Sequence, residues 1–133
     1  MPRTHPKVSY LLEAQCLAPD GAAAQVEKAF LALDGRWKLM ILFRLFAFAK
    51  LRFSELERSL PGVSQKVLAQ RLRELERDGI IGRTVHPEVP PRVEYCLTER
   101  GKALRPALAL LRAWSASTNV TERAFDRTVE GDE

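Results

Sequence analysis

Cysteine, histidine and tryptophan are scarce in this chain, with two of each in 133 residues, and that scarcity excludes several kinds of chemistry. Cys16 and Cys96 stand 80 positions apart, with no CxxC and no neighbouring histidine, which rules out a disulfide framework and argues against a zinc site. His5 falls in a proline-marked arm and His86 beside a strand end. Neither has a nucleophile, acid or ligand set around it. With no paired carboxylates, phosphate loop or metal cluster in view either, the sequence predicts no catalysis, no cofactor and no metal. An apolar h-region is missing from the N-terminus. The most apolar run, Leu39 to Ala49, is interrupted by Arg44 and bracketed by Lys38 and Lys50, too short to span a bilayer. Cytoplasm is therefore the expected location, with no membrane partner and the Asn119-Val120-Thr121 sequon unglycosylated. An aromatic base-stacking platform is also lacking, which disfavours RNA, and a duplex RNA major groove would not admit a helix.

What is present is ordinary in amount and uneven in placement. Hydrophobic residues make up 46% and charged residues 29%, a soluble globular composition, and the length suits one domain with additional helices. The formal charge of +4, with a pI near 9.4, favours a polyanionic partner. Arg, Lys and His cluster between Lys50 and Arg92, whereas the last twelve residues carry five acids against two arginines.

The stretch Arg52 to Gly79, RFSELERSLPGVSQKVLAQRLRELERDG, organises the rest. It predicts a short helix at about Ser54 to Leu60, a break at Pro61-Gly62-Val63 and a longer helix from Ser64 to Asp78, the order of a helix-turn-helix. Ser64 suits an N-cap and Gly79 a left-handed C′ position. Val67, Leu68, Leu72 and Leu75 fall on one side at helical spacing. Lys66, Gln70, Arg73 and Arg77 recur along the other, a row that suits a polyanion but also describes a solvated surface. Two strand-like runs follow, Ile80 to His86 and Arg92 to Leu97, joined by a Pro87-Glu88-Val89-Pro90-Pro91 tip, which makes a wing. Arg83, His86 and Arg92 would then reach a phosphate or a minor groove.

The segments GRWKLMILFRL (Gly35 to Leu45), LRFSELERSLPGVSQKVLAQRLRELERDGII (Leu51 to Ile81) and VPPRVEYCLTERGKAL (Val89 to Leu104) resemble, in order, the signatures of the HxlR-type family of bacterial winged helix-turn-helix regulators, within the MarR-like superfamily. The resemblance covers about two thirds of the chain. It implies a mainly α fold with a small β-hairpin, and a homodimeric transcriptional regulator of double-stranded DNA. Under that reading the N-terminal half of the longer helix enters a major groove, with Ser64 at its start and Gln65, Lys66 and Gln70 nearest base edges. Arg71 or Arg73 would read guanine or grip phosphate. Arg71 is flanked by core positions, and pairing with Glu74 or Glu55 is its alternative role. Arg52 is either a phosphate grip or an exposed charge. Two such helices in a two-fold dimer would read a pseudo-palindrome with half-sites ~34 Å apart or a multiple of that, and place the protein on the nucleoid.

Around this core the sequence predicts a flexible arm over 1–19, a single domain over 20–118 and a polar, acidic tail over 119–133. Within the domain lie a helix from about Ala22 to Leu33 capped by Asp20, the helix-turn-helix at 52–79, the wing at 80–97 and a terminal helix at 98–117 capped by Thr98, which Pro106 should kink or restart. A further helix begins near Arg36, with Trp37, Met40, Ile41, Leu45 and Phe48 on one face and Leu39, Leu42, Phe43 and Phe46 around the rest. Such a helix needs cover on more than one side, from a second subunit or from the N-terminal helix. Trp37, together with Leu108, Leu111 and Trp114 of the terminal helix, is assigned to dimerisation. Val93, Tyr95 and Leu97 should face the core, leaving Cys96 on the polar side as an inert thiol.

The input to a regulator is less legible. Some members of the resembled family sense oxidants through a cysteine before the GxW motif. That position, fourteen residues before Trp37, is Ala23 here, and Cys16 lies seven further out. Three inputs stay open: Cys16 as a redox sensor, a small-molecule effector between the dimer helices, or no ligand at all. A winged-helix protein-interaction module without specific DNA binding is the main alternative function.

Overall fold

The computed structural model describes residues 21–117. The readings made for the 1–19 arm, Cys16 and the acidic tail lie outside the described residues, and the cap expected at Asp20 is corrected to Gly21, which has no side chain to cap with. The chain divides into two compact units, Met1–Asp34 and Gly35–Glu133. In the first, α1 (Ala22–Leu33) has Gly21 at its N-cap and leaves Val26 and Phe30 exposed.

The second unit runs α2 (Lys38–Ala47), β1 (Leu51–Arg52), α3 (Phe53–Ser59), α4 (Gln65–Arg77), β2 (Ile81–His86), β3 (Arg92–Leu97) and α5 (Glu99–Ala116). This is the α+β winged-helix arrangement. Its sheet is antiparallel, in the order β1-β3-β2. The hairpin pairs Ile81 with Leu97 through to His86 with Arg92, so the prolines fall in the tip, where no ladder donor is lost. The strand β1 was not predicted. It pairs Leu51 with Tyr95 and Arg52 with Glu94, and two residues are too few to display the alternation that marks a strand.

Beginning α2 near Arg36 is corrected. Trp37 occupies the N-cap in a left-handed conformation, φ 82°, and the helix starts at Lys38. Its buried stripe is accordingly Lys38, Ile41, Leu42 and Leu45, at the i, i+3, i+4, i+7 spacing of one helix face. Met40 and Phe48, expected on that face, are about half exposed. Met40 lies off the buried stripe, and Phe48 is the extended C-cap beyond the end of the helix.

In α4, Leu68, Leu72 and Leu75 are buried to within 1% and Val67 is only half-buried. Ser64 Oγ accepts from the Val67 N–H at 3.1 Å, the predicted cap. At the other end Ile80 N–H donates to Leu75 O at 2.9 Å and Gly79 N–H to Glu76 O at 3.0 Å. That pair of bonds is a Schellman motif, and it requires the left-handed φ of 74° that Gly79 adopts. In the turn between the helices Gly62, at φ 93°, supplies the other left-handed position.

Thr98 joins this end of α4 to α5. Its Oγ1 accepts from Gly101 N–H at 3.1 Å, capping α5, and lies 2.6 Å from Gly79 O and 3.0 Å from Ile80 O, to which it donates. Gly101 is buried against the same carbonyl, and a Cβ there would collide with Ile80 O and crowd Leu97 Cδ2 at 3.1 Å. Helix α5 continues through Pro106 as one element. Of the stripe expected on α5, Leu108 is buried, while Leu111 and Trp114 are exposed. Gly101→Ala should therefore cost about 2 kcal/mol or more through overpacking. Gly82→Ala, whose added Cβ meets Thr98 Cγ2 at an ordinary 3.8 Å, should cost much less. Urea unfolding of the two variants checks the contrast, and equal midpoints would refute the junction.

Candidate nucleic-acid interface

The direction in which the outward face of α4 points depends on how that helix is held. Three polar contacts at the entrance of α2 and on α4 do this. Arg71 Nε donates to Arg36 O at 2.9 Å, Arg71 Nη1 reaches Glu74 Oε1 at 3.2 Å, and Lys38 Nζ lies 3.3 Å from the same oxygen. Lys38 is 4% exposed, a cation buried on an otherwise apolar stripe, so its charge must be paired. Burial pushes the Glu74 carboxyl up, but the Lys38 hydrogen bond and the charges of Lys38 and Arg71 outweigh it. The net result is a pKa below the ordinary 4.5.

The left-handed Trp37 sits inside this clamp. A non-glycine residue there is strained by ~1–3 kcal/mol, and its neighbours hold it. Lys38 N–H donates to Gly35 O, Ile41 N–H to Trp37 O, and the Arg36 guanidinium lies 5.1 Å from the Trp37 ring centroid. The outer edge of the ring, at Cη2, comes within 3.9 Å of the Cβ position of Gly62 in the helix-turn-helix turn. Trp37 is thus placed over that turn, half-buried.

With Arg71 turned to the clamp, the outward row of α4 consists of Gln65, Lys66, Gln70, Arg73 and Arg77, all exposed, with Ser64 exposed at its head. Gln70 Nε2 donates to Glu74 Oε2 at 3.3 Å, and Arg77 has only a loose contact of 3.7 Å with Asp78 while 72% of its side chain is exposed. Lys66 and Arg73 enter no ion pair among the described residues. These side chains are free to meet a polyanion.

The wing differs. Arg92 is held between Glu88 at 2.9 Å and Glu94 at 3.2 Å, and His86 Nε2 lies 2.9 Å from Glu94 Oε1. The His86 hydrogen bond is the main influence holding the Glu94 carboxyl below its ordinary value. Burial opposes it, and the charges of Arg92, His86 and Lys50 add to it. Arg83 is half exposed on β2, 3.8 Å from Glu76. Arg52 is exposed at the N-cap of α3, where its N–H donates to Glu55 Oε1 at 2.8 Å. It shares with Ser54, Glu88 and Pro90 an open groove of about 500 Å³ beneath the wing tip. His86 and Arg92 are register partners on the face of the hairpin that carries Glu94, whereas Arg83, opposite Tyr95, lies on the other face beside Glu76, and each of the three has a carboxylate neighbour. Sequence reasoning named Glu74 as a partner for Arg71 and missed Lys38. Its signal was the helical spacing of Lys38, Ile41, Leu42 and Leu45, one cation in an apolar stripe.

The family profile described as HxlR-like helix-turn-helix matches residues 32–123. An uncharacterised HTH-type transcriptional regulator of Methanothermobacter thermautotrophicus is 48% identical over 98 residues, 74% of each chain. The crystal structure of a protein described as a MarR-family transcriptional regulator of Enterococcus faecalis V583 superposes with a TM-score of 0.68 at 42% identity, covering 71% of this chain and 86% of that one. The redox regulator HypR in its reduced form superposes at 0.67 with 37% identity, covering 75% of this chain and 98% of that one.

Replacing Glu74 by Gln should leave Lys38 buried without its counter-charge and lower stability by about 1–2 kcal/mol at pH 7, a figure reduced for the partial exposure of Glu74. Because the folded pKa of Glu74 is depressed, its contribution is present above the ordinary value of 4.5 and lost as pH falls through the folded pKa. The difference between wild type and Glu74→Gln should consequently shrink in acid. Thermal melts at pH 7 and below pH 4 read it, and a constant gap would count against the clamp.

Proposed function

The chain belongs to the HxlR-like helix-turn-helix family and is a transcriptional regulator of the helix-turn-helix type, and from that premise we propose that it acts as a homodimer on a specific double-stranded DNA operator. The observation that carries this reading is the exposed row on α4, in which Gln65, Lys66, Gln70 and Arg73 stand outside the internal ion pairs. The N-terminal half of α4 enters the major groove. Gln65, Lys66 and Gln70 meet base edges there, while Arg73 and Arg77 take phosphate or guanine. Ser64 is spent on the cap and Arg71 on the clamp, so both position the helix. Arg52 and Arg83 grip the backbone on either side, and the wing approaches with Arg92 and His86 partly neutralised.

Dimerisation is supported by apolar side chains left outside the core. Leu39, Met40 and Phe43 of α2, Phe48 at its C-cap, and Leu110, Leu111 and Trp114 of α5 are each at least 41% exposed, more large apolar surface than an isolated small unit leaves open. A two-fold pairing presents two α4 helices to successive major grooves, ~34 Å apart or a multiple of that. The likeness to HypR favours a second reading for the input, in which oxidation of Cys16 modulates DNA affinity. A reductant effect on binding that vanishes in Cys16→Ser would distinguish it.

Anisotropy titration of the protein against DNA from its own upstream region, with unrelated duplex as competitor and over a salt series, tests the proposal. One fragment should be retained against competitor with affinity falling steeply as salt rises. Lys66→Ala should weaken it and reduce the magnitude of the log–log salt slope by about 1. Glu88→Gln should leave Arg92 paired with Glu94 alone and strengthen binding roughly three-fold by removing a negative charge near the phosphates. Weak, equal binding to every duplex, untouched by Lys66→Ala, would turn the assignment toward a protein-interaction module.

A further inference from the structure

Gln70 and Glu74 stand one turn apart on α4, and Gln70 Nε2 donates to Glu74 Oε2 at 3.3 Å. On most helices such a pair is a solvated surface contact of little weight. Here the carboxylate is not free to turn away, because Lys38 Nζ lies 3.3 Å and Arg71 Nη1 3.2 Å from its other oxygen, Oε1. Arg71 Nη1 is also 3.4 Å from Oε2. The same contacts hold the Glu74 carboxyl below its ordinary value, so at neutral pH it is ionised and can only accept. An amide facing it must therefore present its nitrogen. The two ends of a glutamine amide, otherwise exchanged by a half-turn about the last side-chain bond, become distinct at position 70. Gln65, the other amide of the outward row, makes no side-chain hydrogen bond among the described residues and has no such anchor.

Nε2 carries two hydrogens, so donation to Glu74 leaves one hydrogen and the Oε1 lone pairs for an outside partner. In a major groove, adenine alone offers the complement, an acceptor at N7 beside a donor at N6. Guanine offers two acceptors, cytosine one donor, and thymine an acceptor beside a methyl group. A·T and T·A pairs present these groups in opposite order across the groove. An amide held one way round therefore matches adenine on one strand only. Resting on the reading of α4 as the helix that enters the groove, we infer that Gln70 selects adenine on one strand at one position of each half-site, and that Glu74 sets the orientation that makes this choice. Glu74 meets no base and is a positioning residue. The buried lysine of α2 is in this way connected to a base edge through one carboxylate and one amide.

The probe is a pool of duplexes with about 30 randomised base pairs, room for two half-sites one or two turns apart, selected by the full chain and sequenced. Wild type should enrich a sequence with one position per half-site at which replacing A·T by T·A, G·C or C·G in both half-sites weakens binding about ten-fold in direct titration. In Gln70→Ala, at an exposed position where alanine suits the helix, all four base pairs there should bind within about two-fold, while other positions keep their preferences. The neutral amide of Glu74→Gln can face either end of Gln70. That variant should bind the T·A sequence within about two-fold of the A·T one and still discriminate against G·C. Each contrast compares duplexes on one protein, so a loss of stability in Glu74→Gln, which weakens all duplexes alike, cannot produce it. An enriched sequence whose every position keeps its preference in Gln70→Ala, a Gln70-dependent position that selects another base, or a Glu74→Gln protein that separates T·A from A·T as wild type does would each overturn the inference and leave the operator reading standing. Enrichment of no sequence by wild type would overturn both.

Discussion

A buried lysine decides how this molecule is assembled. Lys38 lies on the same stripe of α2 as Ile41, Leu42 and Leu45, and an ammonium in that position is tolerated only with a counter-charge at bonding distance. Glu74 supplies it from α4, and Arg71 on the adjoining turn binds both Glu74 and the Arg36 carbonyl. The helix that carries the outward cationic row is thereby fixed in rotation against the entrance of α2. The strained Trp37 lies between the two residues so engaged, Arg36 and Lys38. An apolar face could slide by a fraction of a turn, whereas two directional charge-assisted bonds cannot.

The second constraint lies at the opposite end of α4. Gly79 ends the helix in a left-handed conformation, and Thr98 and Gly101 close on the carbonyls just beyond it. The start of α5 is tied to the backbone of the Gly79-Ile80 junction rather than merely packed near it.

Charge is divided between helix and wing in an uneven way. On α4, Lys66 and Arg73 are exposed and enter no ion pair among the described residues. On the wing, Glu88 and Glu94 hold Arg92, and Glu94 also engages His86. The same residue type thus has different weight at the two places. Summed positive charge overstates what the wing contributes.

Much of the architecture was legible in the residues because it rests on local chemistry. Ser64 and Thr98 cap helices with their own hydroxyls, Gly62 and Gly79 occupy left-handed positions that other residues resist, Leu68, Leu72 and Leu75 repeat at helical spacing, and prolines mark a tip where no ladder bond is needed. By itself the sequence determined the helix-turn-helix, the hairpin and the apolar and cationic sides of α4. Only the tertiary structure decided the two-residue strand β1, the left-handed entry of α2, the burial of Lys38 and the commitment of Arg71 and Arg92 to carboxylates. Each of these depends on contacts between residues distant in the chain or on one residue's conformation at a turn. Neither periodicity nor composition encodes such contacts, because a charged side chain looks the same in sequence whether it faces water or a buried partner.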